Sequence, residues 1–218
     1  MLWHPSGLST STDPQATQIN SLLQAANLSA VWFQLFEAPA GAAKSNTPIG
    51  GKSGKNGRTA ESVVVYTWTA DDGAGNTWTV AYQIGESGSN YTFEIFFQFN
   101  ESDFERIIYA EESKDDLANG FMEIYSLSLF GDEISDDDYF FRFEWTENAI
   151  GLKTFTYEDS EQSFQVFITV NPDGSGSVSA REATQVYYEA TWNATGTAGT
   201  YTFYDSSGEI IDSGVWPE

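Results

Sequence analysis

No cysteine occurs in the 218 residues, histidine occurs once (His4), and Lys plus Arg number only 9 against 32 Asp plus Glu. Each shortage excludes a chemistry. Without cysteine there is no disulfide scaffold, thiolate zinc site or cysteine nucleophile. With the single histidine, His4, in what reads as a loose tail, a His-dependent triad is not expected. A formal charge of −23 rules out nucleic-acid binding by a generally basic surface. No apolar run approaches the roughly 18 residues that cross a bilayer, since Leu28–Phe36 is interrupted by Ser29 and Gln34. The segment Met1–Asp13 lacks both a basic region and an apolar one, so it does not read as a secretory signal.

What the chain does have is a 16% share of aromatic residues, enough with its branched residues to build a large core. Residues 1–13 read as a flexible tail. Asp13-Pro14 then reads as an N-cap with proline at the first helical position, and Ile19, Leu22, Leu23 and Ala26 form one stripe of a helix over 14–27. Ala30–Glu37 leans toward a strand. Residues 39–60 have loop composition and hold Lys44, Lys52, Lys55 and Arg58, four of the nine basic residues.

From residue 61 to the end the period becomes two. Strands are expected at 62–69, 77–84, 91–99, 104–109, 121–130, 139–146, 152–157, 164–170, 177–181, 185–192, 200–204 and 209–216. Asp/Asn/Gly/Ser-rich connectors separate them and are too short for crossover helices. The expected fold is all-β: an antiparallel meander of about 11–13 strands, curved or closed into a barrel, with one N-terminal α-helix. Residues 14–218 are expected to form one domain.

Four groups of residues invite a function. Gly50-Gly-Lys-Ser53 suggests a phosphate loop, but the required leading glycine is Asn46 and no helix-forming sequence follows. A flexible cationic loop, or a contact for an anionic partner through Lys44, Lys52, Lys55 and Arg58, fits better. The acidic runs Glu111-Glu112, Asp115-Asp116, Asp132-Glu133 and Asp136–Asp138 would suit calcium, yet none has the spaced pattern of a calcium loop, and a solvated acidic edge explains them. No other cofactor is suggested. Glu94, Glu123 and Glu144 sit mid-strand, where paired carboxylates could serve glycoside hydrolysis, but the Glu-x-Asp-x-x-Glu strand of laminarinase-like sandwiches is absent. Lastly, Trp68 and Trp78, with Tyr66 and Tyr82, could face one another across a hairpin as a stacking platform or as ordinary cross-strand pairs.

The run Asn193–Trp216, with its Gly-rich turns, and Asn171-Pro-Asp-Gly-Ser-Gly176 resemble the tails of uncharacterised exported, β-hairpin-rich lipoproteins of Bacteroidota-type bacteria. The resemblance implies an extracellular, surface or periplasmic location and no known activity; the lipid-bearing cysteine of such proteins is missing. In architecture alone, a helix before a long meander looks like lipocalin-like carriers, in which Ile19, Leu22 and Leu23 would line a lid. The expectation is therefore a non-catalytic exported domain that binds a protein partner or self-associates. The alternatives are a carrier of a hydrophobic small molecule and a carbohydrate-binding or carbohydrate-active β-protein.

Overall fold

The computed structural model describes residues 6–33, 37–49, 62–115, 118–125, 139–159 and 163–216, with the side chains of α2 described through Gln24. Two helices, α1 (Ser6–Thr10) and α2 (Pro14–Phe33), precede thirteen strands. These are β1 (Ala43–Ser45), β2 (Val63–Asp71), β3 (Thr77–Ser87), β4 (Asn90–Phe99), β5 (Glu105–Ser113), β6 (Gly120–Ile124) and β7 (Phe141–Glu147). The remainder are β8 (Lys153–Asp159), β9 (Phe164–Val170), β10 (Gly176–Glu182), β11 (Gln185–Trp192), β12 (Gly199–Tyr204) and β13 (Ile210–Trp216). Strand order in the sheet is sequence order, with β1 and β13 at its ends, and among the described residues no ladder joins β1 to β13.

Twelve strands lie where the period-two pattern puts them, residues 126–130 of one expected strand falling outside the described residues, and three expectations change. Residues 6–10 are helical, not a loose tail: Leu8 is buried, and the Gly7 amide donates to the Thr195 carbonyl at 3.1 Å. A Cβ at Gly7 would strike the Thr195–Gly196 backbone, so only glycine permits this approach. The expected strand at 30–37 is helix as far as Phe33, because no glycine or proline interrupts the chain between Pro14 and that point. Within the expected loop, Ala43–Ser45 pairs with β2 as β1, a strand too short to leave a periodic signal. The chain divides into two compact units, 1–31 with 143–218 and 32–142. Meander strands pair only with neighbours, so each stretch of strands can build its own core.

In the unit that holds both helices, the Asp13 carboxylate accepts the Gln15 and Ala16 amides at 2.8 and 3.3 Å, which caps α2 as its sequence dictates. Ala16, Ile19, Leu22 and Leu23 are the buried stripe. One face of β8–β11 supplies Phe155, Val166, Ile168, Val178, Ala180, Tyr188, Ala190 and Trp192. The same turn recurs in this unit. Asn148, Asn171, Asn193 and Asp205 each accept, through the backbone carbonyl, the amide of a glycine three residues on (Gly151, Gly174, Gly196, Gly208), and each glycine has positive φ.

Glycine also faces aromatic rings here. Gly176 pairs with Trp192 and Gly199 with Trp216, and each indole lies over its glycine so closely that a Cβ would collide with it. Both indole N–H groups are satisfied, Trp192 by the Gly174 carbonyl at 3.0 Å and Trp216 by the Thr191 carbonyl at 3.3 Å. These two tryptophans are core.

Candidate functional site

The second unit, 32–142, contains the four aromatic residues singled out by the sequence. Because paired residues in an antiparallel ladder share a face, the β2–β3 register puts them together: Tyr66 opposite Tyr82, Trp68 opposite Val80, and Ala70 opposite Trp78. The two tryptophans are thus diagonal neighbours, not directly opposed. β4 extends the face with Phe99 opposite Trp78, Phe97 opposite Val80 and Ile95 opposite Tyr82.

Burial is graded along this face. In the middle, Tyr82, Ile95 and Ile108 are buried, and Tyr82 is core, which removes it from any ligand surface. Its phenol is held well above the usual range by burial and then by the neighbouring Tyr66. Toward the β2–β3 turn Trp68, Trp78, Val80, Phe97 and Phe99 are all half-buried. Trp78 is tilted against Phe99 at 4.7 Å between ring centres and meets Phe97 edge-on at 6.2 Å. Tyr66 stacks on Tyr82 at 6.3 Å, and the Lys44 ammonium lies 5.7 Å from the Tyr66 ring. Phe97 and Phe99 are the members that sequence reading missed. Their signal was the hairpin at Gly88-Ser89, which aligns Ser87 with Asn90 and hence Trp78 with Phe99.

The opposite face of the same strands carries charge. Glu94 accepts from Gln83 at 2.6 Å on one oxygen and from Arg106 at 3.4 Å on the other, while the Gln83 carbonyl oxygen accepts the Ile49 amide at 3.0 Å. Glu111 accepts from Asn90 at 2.7 Å and from the Tyr109 hydroxyl. Glu123 accepts from Tyr125 at 2.7 Å and pairs with Arg142. The Arg106 guanidinium lies near the rings of Tyr109 and Tyr125, 5.1 and 4.8 Å from their centres. Tyr109 and Tyr125 titrate well above a free phenol, first because they are buried and second because each donates to a glutamate.

All six carboxylate oxygens of Glu94, Glu111 and Glu123 therefore have donors. Such carboxylates bind the strands together. Glu144 is exposed and belongs to the other compact unit.

The remaining candidates divide. Ile19, Leu22 and Leu23 are buried in the helix-bearing unit and serve as core. Lys44 lies on β1, whereas Lys52, Lys55 and Arg58 fall outside the described residues. Of the acidic runs, Glu111 is committed to the network above and burial raises the Glu112 carboxyl. Asp116, Asp132, Glu133 and Asp136–Asp138 lie outside the described residues, and among those described no cluster of three or more potential ligands could hold a metal. Comparison with known proteins yields no matching family model and no matching curated protein.

Proposed function

We propose that this chain is a non-catalytic, exported or cell-surface binding domain whose ligand surface is the aromatic face of β2–β4, formed by Tyr66, Trp68, Trp78, Phe97 and Phe99. The observation that carries this reading is the exposure gradient. Large aromatic side chains gain most when buried, yet these five remain only half-buried on a face whose centre is closed. Half-buried indole and phenyl rings can stack on a sugar ring or accept an apolar chain. The network on the other face supports a binding role over an acid–base one, because its carboxylates are already engaged. The charge of −23 suits a protein kept soluble by self-repulsion in a salty medium, which is the support for a location outside the cell.

The test is a titration of the full chain with a panel of soluble oligosaccharides and with a fluorescent fatty acid, followed by the variants Trp68→Ala and Trp78→Ala. The expected outcome is a ligand in one of the two classes whose affinity falls about tenfold or more in each variant while the fold persists. A sugar hit identifies carbohydrate recognition, and a fatty-acid hit identifies a hydrophobe carrier. Equal affinity in both variants would remove this face as the site.

A further inference from the structure

The sheet has two edges, and their sequences treat pairing in opposite ways. β1 is three residues long, fully exposed, with Lys44 at its centre. Short length and lysine are two of the devices by which edge strands avoid accepting another strand. β13 is seven residues long, from Ile210 to Trp216, and contains no lysine, arginine or proline. Ile210, Ile211 and Val215 are 63%, 66% and 73% exposed, three of the five exposed large apolar side chains among the described residues. β13 pairs with β12, and among the described residues no strand pairs with its other side. A single irregularity lies opposite Phe203–Tyr204, which leaves Asp212–Trp216 in unbroken register.

We propose that β13 is a docking edge for an extended cationic segment of a partner protein, which joins the sheet as a further strand. Backbone groups along an unpaired edge supply the affinity in this mode of recognition, and side chains on alternate positions supply the selectivity. Charge identifies the occupant. The exposed Asp212 lies within the strand and Glu209 directly precedes it, and the whole chain carries −23. A second copy would bring like charge against like, whereas a segment alternating valine or isoleucine with lysine or arginine offers apolar contacts to Ile210 and Val215 and cations to Asp212 and Glu209.

The experiment uses the full chain and a fluorescein-labelled peptide of alternating lysine and valine. A control peptide of equal charge carries proline at its central valine. The expected result is that the alternating peptide binds about tenfold or more tighter than the proline peptide, because proline removes a ladder donor and cannot continue the strand. Val215→Lys, at a position exposed enough to leave the fold intact, should weaken the alternating peptide by a similar factor. Equal binding of the two peptides would reduce the effect to bulk charge attraction and overturn the proposal. A dimer in sedimentation that Val215→Lys converts to monomer would also overturn it, by making a second copy the occupant.

Discussion

Four tryptophans on one fold are handled in two ways. In the helix-bearing unit, Trp192 and Trp216 each lie over a glycine on the neighbouring strand and donate to a backbone carbonyl, and both are buried. In the other unit, Trp68 pairs with Val80 and Trp78 with Ala70 and Phe99, with no glycine opposite either, and both are only half-buried. The second faces differ as well. Thr154, Thr169, Ser177, Thr191 and Thr200 form a neutral row across β8–β12. The corresponding face of β3–β6 binds glutamates to arginines and tyrosines instead. Glycine opposite tryptophan thus accompanies a buried ring, and its absence a ring that is only half-buried.

The comparison is open to attack at several points. The largest effect is expected for Trp192→Ala and Trp216→Ala, which should each cost about 3–5 kcal/mol in urea unfolding. Trp68→Ala and Trp78→Ala should cost clearly less, since each residue is only half-buried. Equal losses at all four positions would erase the distinction. Next comes Gly199→Ala, expected to cost about 2–3 kcal/mol because the new methyl meets the Thr191 backbone and the Trp216 indole at once.

Arg106→Ala should cost about 1–2 kcal/mol. It leaves Glu94 without its cation in a site that is partly screened by solvent, the two side chains being 18% and 17% exposed. Adding salt should shrink that loss.

Tyr82, Tyr109, Tyr125 and Tyr188 all titrate above the ordinary phenol range, chiefly because they are buried. A raised folded-state value means their stabilising contribution is complete below about pH 10 and is lost as pH rises above it. Absorbance of tyrosinate should accordingly show these residues ionising together with unfolding, after the exposed tyrosines. The smallest change is expected for Thr191→Val on the neutral row, within about 0.5 kcal/mol.

Much of this fold was legible in the sequence because strands announce themselves by alternation and turns by Asn, Asp and Gly. Tyr91–Phe99 is the clear case, and its boundaries in the structure differ by one residue. β1 was not legible, since three residues carry no period, and neither was the helical continuation to Phe33, whose apolar residues fit both periods. At the site, the sequence placed Tyr66, Trp68, Trp78 and Tyr82 on one face but could not grade their exposure. That grading depends on which row of the sheet each residue joins. Tyr82 falls in the row with Ile95 and Ile108 and is closed over, whereas Trp78 falls in the row with Phe99 near the turn. Likewise Arg106 and Arg142 gave no sign of their glutamate partners, because pairing across strands needs the register first.

The most direct test of the central claim is fluorine NMR of the chain labelled with 5-fluorotryptophan, titrated with the ligand that the screen identifies. Resonances of Trp68 and Trp78 should shift or broaden through the titration, while those of Trp192 and Trp216 stay in place. A ligand that moves Trp192 or Trp216 and leaves Trp68 and Trp78 untouched would contradict the account.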